Sequence, residues 1–437
     1  MGREIQSVAV IGGGTMGSGI AAAATAAGWQ VLLLERDRDA ARKARERTLS
    51  QARDETEQRA IDRLLITGTL DESLTVIGEF DWICEAIVED LAAKRDLLGR
   101  IEPWRREGSV VSTNTSGIPL HAITRGLPDR LRRDIVVTHF FNPVRVMKLL
   151  EIVPGQDTDP AVVRGLSEVC GDILGKGVVR AKDTVNFIAN RIGCFWMLSG
   201  LHHARAFRAQ GGDVERADAV LSAPLGLPAT GLYGLVDLIG LDVMDLVGRN
   251  LADNLPDGDP GRAFTRFPPE ELALLARGQL GRKSGGGFYR VVKGADGAKT
   301  KEVFDLDAGR WRAPRAVQLA PHQGDAAGLL FADDSEGRLA WAVHGGTLLY
   351  AADLVPDIAD DVVNVDRALR WGFGWTRGPF ETLDDLGPAR VVDRLRAEGR
   401  PVPRLLRLLE DSGAERFYRD EGREYLGLDG RYHPVPG

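Results

Sequence analysis

Short apolar runs separated by longer stretches of helical period dominate the first half of the chain. The runs stand at 7–11 (SVAVI), 31–34, 80–86 (FDWICEA), 109–112, 135–139, 148–153 and 178–181. Apolar runs of this length, without strict alternation, read as strands buried on both faces, as in a parallel sheet. Residues 15–28 and 91–101 carry helical spacing between them. This order predicts a doubly wound α/β domain. From about Asn186 the texture changes to long helical patterns. The longest, 191–208, places Ile192, Phe195, Trp196, Leu198 and Leu201 together. His202 and His203 fall on its polar face and read as surface residues, with no third metal ligand at helical spacing.

The first strand runs directly into Gly12-Gly13-Gly14-Thr15-Met16-Gly17 and then an Ala-rich helix. The spacing is G-x-G-x-x-G. Gly12 suits the tight turn, Gly14 lets backbone approach a pyrophosphate, and Gly17 lets the helix pack close to the strand. Thr15 and Met16 open the helix whose N-terminus would face the phosphates. The next strand ends in Glu35, near the ~20-residue distance expected for a ribose-binding acid. A carboxylate there favours NAD over NADP, although Arg36 and Arg38 follow directly. The first domain is therefore expected to be a Rossmann-type dinucleotide-binding domain.

The second half contains an internal repeat. Asp218, Leu221 and Gly226 match Asp366, Leu369 and Gly374; after a one-residue slip, Gly231, Asp237 and Gly240 match Gly378, Asp384 and Gly387. The order of the matches points to duplication. The expected organisation is the α/β domain at 1–183, two all-α domains related by duplication at 184–312 and 337–437, and a linker at 313–336. Between the repeats, 281–289 (GRKSGGGFY) reads as a glycine-rich turn and strand without Walker spacing. Its Lys283 is expected near a substrate edge. Residues 291–311 read as a polar hairpin.

Composition narrows the class. At 437 residues, with 43% apolar content and a net charge of −7, the chain gives no reason to expect nucleic-acid binding. No apolar run reaches the ~18 residues a membrane span needs. Cys84, Cys170 and Cys194 lie far apart, without metal spacing, and read as reduced thiols. Residues 1–4 lead almost at once into the first strand, so no signal peptide is expected and the reading is cytoplasmic. No metal site is expected.

Candidate chemistry sits at 138–143 (THFFNP) and 147–153 (MKLLEIV). A short Pro-containing turn between two apolar runs can fold His139 against Glu151. A histidine oriented by a carboxylate is a general base for an alcohol. Glu151 has a competing reading as an ion-pair partner of Arg145 or Lys148.

Taken in order, VIGGGTMGSGIA, CEAIVED, NTSG, THFFNPVRVMKLLEIV, KDTVNFIANR and GRKSGGGFY resemble the NAD-dependent 3-hydroxyacyl-CoA dehydrogenases of fatty-acid β-oxidation. The likeness covers 8–289, and 365–381 (VDRALRWGFGWTRGPFE) resembles the second helical copy of long, multifunctional members. The resemblance implies His139 as catalytic base, Glu151 as its orienting partner, Asn190 at the reacting carbonyl and Ser116 between substrate and histidine. It implies Glu89, Lys94 and Asn142 as cofactor contacts. Gly117 stands where many members have Ser or Thr. The helical stretch 40–63 would approach CoA, but it is rich in Arg and offers no clear CoA-binding lysine. Asn190 also reads as a helix cap, Ser116 as a turn residue, and Glu89–Lys94 as a helix-face pair. The family further implies a cleft between the α/β domain and the first helical copy. It implies association with an enoyl-CoA hydratase or thiolase. Since single-copy members pair through their helical domains, the second copy is expected to pack on the first within a monomer, the competing outcome being that it swings out on the linker and recruits a partner. Two alternatives stay open: another NAD-dependent hydroxyacid dehydrogenase of similar build, and a non-catalytic relative.

Overall fold

The computed structural model describes residues 5–294 and 297–437. Its contacts group into two compact units, Met1–Ile188 with Asp357–Asp360, and Ala189–Pro356 with Asp361–Gly437.

The first unit is built on one sheet of β1 (Ser7–Ile11), β2 (Gln30–Glu35), β3 (Leu65–Thr69), β4 (Trp82–Glu85), β5 (Val110–Thr113), β6 (Ile135–Phe140), β7 (Leu149–Pro154) and β8 (Gly177–Arg180). The order is β3-β2-β1-β4-β5-β6-β7-β8. Every pairing is parallel except β6 with β7. The exception follows from chain length: residues 141–148 suffice for a reversing turn, whereas parallel neighbours need a long crossover. Arg145 clamps that turn by pairing with Glu57 at 2.5 Å, and Lys176 donates to the carbonyls of Val144 and Met147. The Arg145 guanidinium beside Glu57 holds its carboxyl down at about 2.

Helix α1 (Thr15–Ala26) follows β1. The 40–63 stretch divides into α2 (Arg38–Leu49) and α3 (Glu55–Leu64), capped by Asp37 and Asp54. Strand β3 after them was not anticipated, because LITGT is short and carries a glycine. Residues 357–360 join this unit from far downstream: Lys182 donates its N–H to the Ile358 carbonyl at 2.9 Å and its ammonium pairs with Asp360 at 2.8 Å.

The second unit is mainly helical. Helix Ala189–Arg208 opens it, and a second run (Ser335–Ala340, one π turn, Gly346–Leu354) occurs later. Four further helices recur in the same order: Val214–Val220 with Val362–Phe373, Gly231–Ile239 with Pro379–Leu386, Leu241–Asn254 with Pro388–Ala397, and Pro269–Ala276 with Arg404–Asp411. The all-α expectation is corrected here. Each series ends in a three-stranded antiparallel sheet, 289–312 and 418–434. The reason is local. Asp237 accepts the N–H groups of Phe288 and Tyr289 (2.9 and 2.8 Å), and Asp384 those of Phe417 and Tyr418 (2.7 and 2.8 Å), so each strand start is fastened to a helix.

The same match extends to Asp218, which accepts from Tyr233 N, Gly234 N and the Tyr289 hydroxyl, and to Asp366, which accepts from Phe380 N, Glu381 N and the Tyr418 hydroxyl. Residues 313–336 contain helix Ala326–Leu330 and are tied to the helices by Glu215, which accepts from Arg315 N at 2.8 Å.

Cys84, Cys170 and Cys194 are free and buried, and burial pushes the thiols of Cys84 and Cys194 up to about 12. No helix among the described residues is long and apolar enough to cross a membrane.

Candidate active site

The carboxyl ends of β1, β2, β4, β5 and β6 lie along one edge of the sheet, and the first unit's candidate residues gather there. In open α/β sheets this edge is where ligands bind.

The glycine loop follows β1. Gly12 has φ +99°, and a Cβ on Gly17 would lie 1.7 Å from the Gly12 carbonyl oxygen. Both glycines are therefore required by the fold. Gly14 is different: a Cβ there meets nothing within 4 Å. Helix α1 starts at Thr15 with Gly14 as N-cap and no side-chain cap, so its first N–H groups keep their capacity for an anion. Glu35 accepts the Gly13 N–H at 2.8 Å, which ties the end of β2 to this loop. Arg36 and Arg38 are exposed and paired with Asp37 (3.2 Å) and Glu72 (2.5 Å).

Beyond β4 a buried polar network organises two loops. Lys94 is 1% exposed; its ammonium lies 2.8 Å from Glu85 and 3.3 Å from Glu89. Glu85 also accepts from Thr113. Glu89 accepts from the Thr115 hydroxyl (2.6 Å) and from the N–H groups of Ser116 (2.9 Å) and Gly117 (3.0 Å). Burial opposes ionisation of Glu89, but the Lys94 charge and these donors outweigh it and hold its carboxyl below the usual range. Lys94 is thus inside the protein, and the NTSG loop bearing exposed Ser116 is fixed by Glu89.

His139 and Glu151 are direct register partners on β6 and β7. His139 Nδ1 lies 2.6 Å from Glu151 Oε2. A carboxylate at this distance accepts from Nδ1–H, and in that tautomer a neutral imidazole presents its lone pair at Nε2. The pair is buried, at 4% and 0% exposure. Phe141 and Phe187 pack on the imidazole at 4.4 and 5.6 Å between ring centroids. Glu151 Oε1 accepts the Ile188 N–H at 3.1 Å. Arg145 is engaged by Glu57 rather than Glu151. Asn142 is exposed in the β6–β7 turn.

Asn190 stands in the first turn of Ala189–Arg208, in the second unit. Lys283 is half-exposed and paired with Asp242 at 2.6 Å. The glycines around it make room for Asp237: a Cβ on Gly287 would lie 2.0 Å from its Oδ1. His202 and His203 are half-buried against Phe264, at 5.5 and 5.6 Å. Both keep partial solvent exposure on that side of the helix, beside Phe264.

Sequence reasoning missed Glu85, Phe187 and Ile188. CEA ends a strand with an acid nine residues before Lys94, a spacing that reveals the pair only once the following helix is known to fold back. Ile188 acts through its backbone and leaves no signal.

The family models for the NAD binding domain and the C-terminal domain of 3-hydroxyacyl-CoA dehydrogenase match residues 7–184 and 187–291. A probable 3-hydroxyacyl-CoA dehydrogenase of Deinococcus radiodurans is 36% identical over 66% of this chain and 84% of its own. The chain belongs to the 3-hydroxyacyl-CoA dehydrogenase family. A further family relative, the probable 3-hydroxyacyl-CoA dehydrogenase of Bacillus subtilis, is 34% identical and aligns with all of this chain but only 58% of its own length. The chain thus spans little more than half of that relative. The crystal structure of 3-hydroxybutyryl-CoA dehydrogenase from Escherichia coli superposes with a TM-score of 0.70 at 25% identity, covering 94% of this chain and 99% of that one.

NAD is the cofactor of the matched domain, and the loop fits it. Gly14 leaves a cradle that a side chain would fill, beside an uncapped helix start.

Proposed function

We propose that this protein oxidises the 3-hydroxyl of (S)-3-hydroxyacyl-CoA to the 3-keto group, reversibly, with NAD as hydride acceptor, as a step of fatty-acid β-oxidation. The observation that carries the reading is the buried His139–Glu151 pair, 2.6 Å apart on adjacent strands, at the same sheet edge as the glycine loop.

The glycine loop and α1 would hold the pyrophosphate, Glu35 the adenine-side ribose, and Asn142 and the Glu89 loop the nicotinamide end. Bound NAD supplies a two-electron acceptor, and the rest is the chain's own chemistry. His139 Nε2 takes the hydroxyl proton, and Glu151 stabilises the imidazolium that results. A positioned base of this kind contributes roughly 10²–10⁴-fold. Phe141 and Phe187 keep water from the imidazole, which strengthens the charge pairing. Ser116 orients the hydroxyl toward His139, and Asn190 holds the carbonyl side of the substrate. Glu89 fixes the Ser116 loop, and Lys94 neutralises buried Glu85 and the partly exposed Glu89. Glu35 favours NAD over NADP, supported by the pairing of Arg36 and Arg38 with neighbouring acids.

The two helical series are read as a duplication, supported by the matched hydrogen bonds of Asp218 with Asp366 and Asp237 with Asp384. Their contact has the form of a self-complementary interface. Thr376 donates its N–H to the Gly226 carbonyl at 2.8 Å, while Gly374 faces Pro228. In the duplication Gly374 corresponds to Gly226 and Thr376 to Pro228, so each copy offers the same pair of positions to the other. Pairing inside one chain would take the place of a homodimer. An enoyl-CoA hydratase or thiolase is the expected partner activity.

The test is NADH formation with short and long (S)-3-hydroxyacyl-CoA, wild type beside His139→Ala. Wild-type turnover that depends on the acyl-CoA and on His139 supports the reading. Turnover on other hydroxyacids alone, or none, overturns it.

A further inference from the structure

Asn186 and Phe187 lie between β8 and the Ala189–Arg208 helix, and both have positive φ, +60° and +51°. Both are buried, at 3% and 0% exposure. An asparagine tolerates the left-handed region; a bulky aromatic residue rarely enters it, and two in succession are held only by surrounding structure.

That structure is visible. The Phe187 N–H donates to the Thr184 carbonyl at 3.2 Å. Further back, Lys182 is fastened through its N–H to Ile358 and through its ammonium to Asp360. The Asp183 carboxylate accepts from the N–H groups of Leu120 and His121. The strap 182–187 is therefore tied to two neighbouring segments, 358–360 and 120–121, and closed by its own Phe187–Thr184 hydrogen bond where it reverses.

The reversal does two things at once. It aims the Ile188 N–H at Glu151 Oε1, 3.1 Å away, and it lays the Phe187 ring against His139. A carboxylate held at one oxygen by a backbone donor cannot rotate about its terminal bond without losing that bond. Its other oxygen then stays on His139 Nδ1, at 2.6 Å.

We propose that Asn186 and Phe187 are positioning residues, whose left-handed turn locks Glu151 and, through it, the tautomer and orientation of His139. The proposal rests on the dehydrogenase reading of the same site, so its test includes a readout that needs no substrate.

The variants are Asn186→Ile, which resists positive φ, Asn186→Gly, which adopts it freely, and each combined with Glu151→Gln. In the 3-hydroxyacyl-CoA assay, Asn186→Ile is expected to lose roughly 10–100-fold in kcat, as misplaced catalytic groups do, with KM changed less than about threefold. Asn186→Gly should retain most of kcat. In the Glu151→Gln background Asn186→Ile should cost little more, because the amide that the turn then holds no longer accepts from His139 Nδ1.

The substrate-independent readout is the downfield imidazole N–H proton of His139 in the NMR spectrum. It should persist in Asn186→Gly and disappear in Asn186→Ile and Glu151→Gln. Full kcat in Asn186→Ile, multiplied losses in the double variant, or an unchanged N–H proton overturns the proposal. If Asn186→Ile does not fold, as judged by NADH binding, Asn186→Ala takes its place with the same expectations. Loss of acyl-CoA turnover in wild type, with the N–H pattern as described, overturns the functional reading and leaves the lock standing.

Discussion

Individual side chains here divide by what compensates their burial. His139 and Glu151 compensate each other, and Lys94 is matched by Glu85 and Glu89. Glu271 is not matched: it is fully buried, neither oxygen accepts a hydrogen bond, and the nearest cation, Arg208, is 4.0 Å away. Burial therefore raises its carboxyl to about 7, well above the ~4.3 of an unfolded glutamate. A raised folded value means that folding takes up a proton between those limits. The stability this contributes is complete below about 4.3 and is lost as pH rises through about 7. The melting temperature should accordingly fall between pH 5 and pH 8. Glu271→Gln, scanned by calorimetry across that range, should flatten the fall and be the more stable form at pH 8. An equally steep fall in the variant would show that other groups carry it.

At the scale of elements, two glycines of one loop should respond oppositely to the same methyl group. A Cβ on Gly17 collides with the Gly12 carbonyl, so Gly17→Ala should displace α1 from β1 and lower the melting temperature. A Cβ on Gly14 meets no protein atom, so Gly14→Ala should melt like wild type yet bind NADH more weakly by fluorescence titration. Unchanged NADH binding in Gly14→Ala would remove the loop from the cofactor site. Sequence spacing was enough to recognise this loop, because strand, turn and helix must follow each other for it to work at all. It was also enough to pair His139 with Glu151, since a short turn between two apolar runs leaves one hairpin register that buries both. Strand β3 was illegible because LITGT has no strong period, and its place is fixed by pairing with β2. The first terminal sheet was legible in part, as the strand after the 281–289 turn and the polar hairpin at 291–311, whereas the second was not. Such strands are short and half-exposed, and an aspartate on a helix separated from them by two further helices determines where they start. The recurrence of Phe-Tyr at 288–289 and 417–418 was the clue to the second sheet.

For the molecule as a whole, the account joins two claims, internal pairing of helical copies and alcohol oxidation at the sheet edge. The first predicts a monomer by light scattering at micromolar concentration. A chain ending near Tyr289, which loses the partner copy, is expected to dimerise or aggregate. A dimeric full chain with a well-behaved monomeric truncation would contradict internal pairing. The second claim is central, and its most direct measurement is kcat for (S)-3-hydroxyacyl-CoA with NAD, set beside the Kd for NADH, in wild type, His139→Ala and Glu151→Gln. The account predicts that kcat falls by about 10²–10⁴-fold in His139→Ala and substantially in Glu151→Gln. The Kd for NADH should stay near the wild-type value in both, because the glycine loop is untouched. Near-normal kcat in His139→Ala would contradict it.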